Sequence, residues 1–214
     1  MRRKAGLSQA AVLAQRLRAR VADERVLAAI ASIPRERFVP ESERARAYEN
    51  VALPIACGQT ISQPLVVARM LEVLAPDPRD RVLDVGTGSG YHAALLALLA
   101  DHVWTIERHP ELAARAEEAI RGLGLENVEI LVGDGWDGLP ALAPFDAINV
   151  AAATGDQVPQ ALEAQLRVGG RLVAPVGERR QHLTLILRTA DGVRRERLEA
   201  VRFVPLVRDP GARG

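Results

Sequence analysis

Apolar residues in the first part of the chain recur at the spacing of a helix. Within 8–32, Val12, Leu13, Leu17 and Val21 fall at three- and four-residue steps, and Val26, Leu27 and Ile30 repeat the pattern. Asp23 precedes the second set and is placed to cap it, while Pro34 stops it. A further short helix is predicted over 41–48, after Pro40. Together these make 1–50 a helical annex, because their apolar faces need a core elsewhere to pack on. Between 50 and 64 no period remains. The stretch is mostly uncharged, holds Pro54, Gly58 and Pro64, and alternates Gln59, Thr60 and Ser62 with Gly58 and Ile61. It predicts an extended segment with its polar groups on one side. Ser62 reads as the N-cap of a helix over 65–74, with Pro64 in its first turn.

From Arg81 a different pattern takes over, in which short apolar runs alternate with helix-length segments. Strands are predicted at 82–85, 103–106, 128–132, 146–150 and 170–176, with helices at 91–100, 110–122 and 158–166. That alternation predicts an α/β fold, a doubly wound and mostly parallel sheet covered on both faces. Two more runs, 183–187 and 194–203, are joined at Asp191-Gly192 and predict a C-terminal antiparallel hairpin. The chain, 1–214, is expected to be one domain: the annex 1–50, the loop 51–64 and the sheet-bearing core 65–214.

Composition narrows the function classes. Apolar residues make up 48% of the 214, enough for a sizeable core, and the formal charge of +1 predicts neither a nucleic-acid nor an anionic-membrane partner. Lys4 is the only lysine. The single cysteine, Cys57, cannot form an internal disulfide and fits a reducing compartment. No apolar stretch follows Met1-Arg-Arg-Lys4, and the longest apolar run, 93–100, is too short to span a bilayer. A soluble, cytoplasmic monomer is expected. The four histidines show no metal-ligand spacing, so no metal is expected, and no nucleophile elbow surrounds Ser62 to suggest a hydrolase triad.

The chemistry concentrates at Asp84-Val-Gly86-Thr87-Gly88-Ser-Gly90, where a buried strand runs into a glycine-rich turn. Glycines there let the backbone turn sharply and approach a ligand closely. Their spacing is tighter than the dinucleotide fingerprint, no lysine follows as in a P-loop, and an acid two residues before the first glycine resembles motif I of S-adenosylmethionine-dependent methyltransferases. Ligands of an open parallel sheet lie beyond the strands' carboxyl ends. Glu107, 21 residues after Gly86, ends the second core strand and is placed to accept both ribose hydroxyls. Asp134, followed by Gly135, ends the third and is placed to accept from an adenine amine; Asp84 suits an ammonium group, directly or through water. Ribose, adenine and ammonium together describe S-adenosylmethionine better than a nicotinamide nucleotide.

Several further segments, in order, resemble the protein-L-isoaspartate O-methyltransferase family: Ile33-Pro-Arg-Glu-Arg-Phe-Val39, Tyr48-Glu-Asn-Val-Ala-Leu-Pro-Ile55, Gly58-Gln-Thr-Ile-Ser-Gln-Pro64, Gly133-Asp-Gly-Trp136 and Val201-Arg-Phe-Val-Pro-Leu-Val207. The resemblance runs from about Val26 to Val207 and implies a Rossmann-like methyltransferase core. It implies methyl transfer from S-adenosylmethionine to the free carboxylate of an L-isoaspartyl residue in damaged proteins or peptides, which starts repair through a succinimide. It also implies site residues. Ser62 is the catalytic serine, with Gln59, Thr60 and Ile61 around the donor. Thr87 and Arg108 join the glycines, Asp84, Glu107, Asp134 and Gly135 in holding the donor, and Ile55, Val204, Pro205 and Leu206 lie against the substrate. The loop 151–156 carries an apparent added residue relative to the family, and Ala56-Cys57 replaces a more polar or glycine-containing pair. A methyltransferase of the same fold acting on a specialised peptide aspartate or a small molecule, and a non-catalytic adenosine-nucleotide-binding regulator, are the alternatives.

Overall fold

The computed structural model describes residues 7–208. Ser8 accepts from the Ala11 amide and starts α1 (Gln9–Leu17); Asp23 accepts from the Arg25 amide and starts α2 (Glu24–Ser32), the cap expected of it. Leu13, Leu17, Leu27 and Ile30 face inward and are almost fully buried. The helix expected over 41–48 is a tight 3-10 segment, Glu41–Arg46, following another at Arg35–Phe38. None of Glu41–Arg46 is buried, so no apolar stripe holds a wider α-helical turn against the core.

The stretch 50–64 is a small antiparallel ribbon of β1 (Leu53–Pro54) and β2 (Thr60–Ile61), closed by a 3-10 turn at Ala56–Gly58. Helix α3 (Pro64–Leu74) follows, and here the structure corrects a prediction. Gln63, not Ser62, occupies the N-cap position, and it makes no side-chain cap. The α3 amide of Leu65 instead donates to Asn50 Oδ1 at 3.0 Å.

Seven strands form the sheet: β3 (Arg81–Val85), β4 (His102–Glu107), β5 (Val128–Val132), β6 (Phe145–Val150), β7 (Leu166–Val176), β8 (Gln181–Thr189) and β9 (Gly192–Val201). Their order is β5-β4-β3-β6-β7-β8-β9, parallel through β7 and antiparallel beyond it. The connecting helices are α4 (Tyr91–Ala97), α5 (Pro110–Arg121) and α6 (Gln160–Ala164). Alternate residues serve opposite faces. Val82, Val103, Ala147 and Val173 join the core under α1–α4, while Leu83, Val85, Ile148 and Leu172 pack with α6. Central strands covered on both sides read as continuous apolar runs, which is why they were legible.

Helix α6 is shorter than the predicted 158–166, and β7 begins earlier than predicted. Gln165 explains both: its side chain accepts from the Leu139 amide at 2.8 Å and donates to Asp137 O at 2.8 Å, while its own carbonyl accepts from the Phe145 amide. The chain is thus drawn into the sheet at Leu166.

Candidate active site

The glycine turn leaves β3 at the middle of the sheet. The amides of Gly86 and Thr87 donate to Ile106 O at 2.9 and 3.3 Å, which pins the turn to β4. Glu107 completes the anchorage from the end of that strand. One of its oxygens accepts from the Gly88 amide at 2.8 Å and the other from the His109 amide at 3.0 Å. Each carboxylate oxygen has a second lone-pair site, so the group that locks two loops can still accept from a ligand. Glycine is required at Gly90, where φ is +87° and an added Cβ would stand 2.9 Å from the Ala116 Cβ of α5. Its role is to let α4 pack on α5, and it lies off the cleft wall. At Gly135 an added Cβ would meet Val85 Cγ1 at 2.6 Å, so only glycine keeps that wall of the cleft where it is.

Asp84 lies one layer below the cleft wall. It is fully buried beneath the turn, in register with Thr105 on one side and Asn149 on the other. Its oxygens accept from Thr105 Oγ1 at 2.8 Å and Asn149 Nδ2 at 2.7 Å, and the two threonine hydroxyls, Thr87 and Thr105, lie 2.6 Å apart. Burial pushes the Asp84 carboxyl up to about 6, against the opposing pull of the Asn149 and Thr105 hydrogen bonds. The residue braces the turn from below; it does not line the cleft.

The ribbon β1–β2 forms the opposite wall and carries Gln59, Thr60, Ile61 and Ser62 into the cleft. Arg35 holds it. Its fully buried guanidinium donates to Ser62 O at 2.7 Å and Ala47 O at 2.9 Å and lies 4.8 Å over the Tyr91 ring. One buried cation therefore touches the annex, the ribbon and the first residue of α4. Burial depresses its pKa to about 10, so it stays charged at neutral pH. Ser62 contributes its carbonyl to this lock and keeps its hydroxyl free of any hydrogen bond to the described residues.

The third wall comes from the C-terminus. The Ala153 amide donates to Val204 O at 2.8 Å and the Leu206 amide to Ala153 O at 2.7 Å, forming a bridge between Ala153 and Pro205. Val204, Pro205 and Leu206 are thereby held against the loop after β6, and all three line the cleft. The cleft encloses about 850 Å³ of free space, part of it open to solvent.

Of the expected site residues, Gly86, Thr87, Gly88, Glu107 and Arg108 also line this space. Ile55, Gly90 and Asp134, like Asp84, lie off it. Ile55 backs the turn, with Cδ1 3.8 Å from where a Cβ on Gly88 would stand. Asp134 accepts from the Trp136 amide at 2.9 Å and so shapes the bend that presents Gly135. Sequence reasoning missed Tyr91 and His92, the first residues of α4, along with Ala151 after β6. For Tyr91 and His92 the signal was adjacency to Gly90, the last glycine of the turn. His92 Nε2 is buried without a partner among the described residues, and burial lowers its pKa to about 4, so it is neutral. No group of three potential metal ligands occurs among the described residues.

The arrangement pairs a glycine-lined, carboxylate-anchored wall, suited to an adenosine-bearing ligand, with a free hydroxyl on the facing ribbon. A family model for protein-L-isoaspartate(D-aspartate) O-methyltransferase matches residues 7–211. The protein-L-isoaspartate O-methyltransferase of Sodalis glossinidius (strain morsitans) is 49% identical over 197 residues, which cover 92% of this chain and 94% of that one. Among solved structures, a protein-L-isoaspartate O-methyltransferase aligns with a TM-score of 0.83 and 29% identity over 91% of this chain, which spans 64% of the length of the other. A structure from Plasmodium falciparum in complex with S-adenosyl-L-homocysteine has a TM-score of 0.83 and 26% identity, covering 94% of this chain and all of that one.

Proposed function

The chain belongs to the protein-L-isoaspartate(D-aspartate) O-methyltransferase family, and from that premise we propose how its residues carry out the reaction. The enzyme transfers a methyl group from S-adenosylmethionine to the free carboxylate of L-isoaspartyl residues in damaged proteins and peptides. The observation that carries the site reading is the position of Ser62. It lines both the enclosed cleft and the open groove beside it, with Thr60 and Val204 at the same junction. That is the one place where a donor in the cleft and a peptide in the groove meet.

The cleft's chemistry fits the donor. Glu107 offers acceptor sites to vicinal hydroxyls, and Gly135, packed without a Cβ against Val85, gives a smooth wall for a flat base. Arg108 stands at the exposed rim, and Gln59, Thr60 and Ile61 close over the donor from the ribbon. S-adenosylmethionine, when bound, supplies an electrophilic methyl group on its sulfonium. The substrate carboxylate is ionised at neutral pH, so no general base is required. Ser62 donates from its hydroxyl to the carboxylate and holds one oxygen in line. Ile61 and Leu206 keep water away from that line. The rate advantage is thus positional, from a fixed near-attack geometry in a shielded site. Asp84 acts one layer below, keeping Thr87 and the turn in place.

The open groove favours a peptide over a small molecule, since it extends past Ser62 along Arg202, Phe203 and Val204. The same reading has a monomer working in the cytoplasm without nucleic acid or membrane, supported by a charge of +1 and by exposed, unpaired Cys57. Among the described residues no helix is long and apolar enough to cross a membrane.

Incubation with methyl-labelled S-adenosylmethionine and matched Asp and isoAsp peptides tests the proposal. Base-labile label on the isoAsp peptide alone is expected. Label on neither peptide, with the donor bound, would overturn it in favour of another substrate.

A further inference from the structure

The groove that begins at Ser62 does not end at Val204. Beyond it lies a wider depression over Trp136, Pro205 and the turn 177–180. Arg202 lines both the part beside Ser62 and the part beyond, and Arg179 and Arg180 join it in the latter. All three arginines are exposed, and none forms an ion pair with a described residue. Several other surface arginines rest on carboxylates, as Arg46 does on Glu43 and Glu49 and Arg195 on Glu163; what sets Arg179, Arg180 and Arg202 apart is that they line one groove. The acidic side chain lining the depression is Glu178. Arg197 adds a further positive charge behind it, bonded to the ring of His182 at 2.8 and 2.9 Å. A chain that is almost neutral as a whole thus carries a local excess of unpaired positive charge along the groove beside Ser62.

We propose that this arginine-lined groove is a specificity site for the residues flanking the isoaspartyl unit, and that it selects peptides carrying Asp or Glu there. The proposal rests on the reading of Ser62 as the reaction point and adds the substrate class. A single exposed pair contributes little. Three unpaired guanidiniums along one groove act together, raising encounter with acidic chains and holding them by salt-sensitive contacts.

The test uses isoaspartyl peptides of equal length flanked by Glu, by Gln or by Lys. In the wild-type protein kcat/KM for the Glu-flanked peptide is expected to exceed that for the Lys-flanked one by roughly tenfold, carried by KM. The ratio shrinks in about 0.5 M salt. In the triple variant Arg179→Gln/Arg180→Gln/Arg202→Gln it falls close to one. Equal use of the three peptides by the wild type, or a preference that survives in the triple variant, would overturn the proposal. The Gln-flanked peptide separates the two readings. No ester on it in the wild type sinks the isoaspartyl assignment itself, whereas ester without charge preference sinks only the groove. Ester on it in the triple variant reports an assembled site; if that is lost, Arg180→Gln alone carries the comparison and must lower the ratio.

Discussion

The hydroxyl of Ser62 is free because Asn50, fifteen residues before Leu65, accepts the α3 amide that Ser62 was placed to cap. Ser62→Ala therefore leaves the fold intact, with stability changed by less than about 0.5 kcal/mol. Methyl transfer falls on the order of a hundredfold, the usual effect of removing one oriented donor, while donor affinity persists. Initial rates and titration calorimetry check both halves. Two buried residues set a second expectation, one of pH. Asp84 has a folded-state pKa raised to about 6, so its contribution is present below its unfolded value and lost as pH rises through 6. His92 has one lowered to about 4, so its contribution is present above its ordinary value and lost as pH falls through 4. The two oppose each other between about pH 4 and 6.5. His92→Gln removes the second, so the variant's stability should rise on acidification relative to wild type, by on the order of 3 kcal/mol at full effect. Urea melts of the apoprotein across that range measure it; parallel curves would refute it.

At the scale of elements, the ribbon β1–β2 has almost no core of its own: Leu53 and Ile61 are its buried side chains. Its position depends on Arg35. Arg35→Met would leave Ser62 O and Ala47 O without their donor, a loss of about 2–4 kcal/mol. KM for peptide should rise more than KM for S-adenosylmethionine, and Arg35→Lys should recover part of both. Equal changes in the two KM values would argue for global loosening instead. The ribbon's turn also accounts for one departure from the family. Cys57 adopts a φ of +57°, a conformation that favours glycine, which is the reason a glycine-containing pair suits that place. The motif 33–39 was visible in the sequence as a resemblance, but nothing local said that Arg35 would cross to the Ser62 carbonyl. The bond joins residues twenty-seven apart.

For the whole molecule, the cleft is assembled from three walls that share no sequence neighbourhood: the ribbon, the turn after β3 and the segment 204–207. A ligand touching all three ties the annex to the sheet. Donor at about a hundred times its dissociation constant should stabilise the fold by about 2.7 kcal/mol. For a domain of this size that is a rise in Tm of roughly 5–10 °C. S-adenosylhomocysteine should act alike and NAD should not, as thermal melts would show.

The periodicity of the chain determined the strands, most helices and the order in which they come, because such patterns act over a few residues. The glycine spacing and the acids at strand ends likewise pointed to the carboxyl edge of the sheet, where the cleft lies. Only the tertiary structure decided which of those groups reach it. Asp84 turned inward because its register row offered Thr105 and Asn149 as partners. Ser62 was released by Asn50, and Val204–Leu206 reached the cleft through Ala153. Each outcome depends on contacts between residues far apart in the chain, where propensity carries no information and packing and hydrogen-bond satisfaction decide.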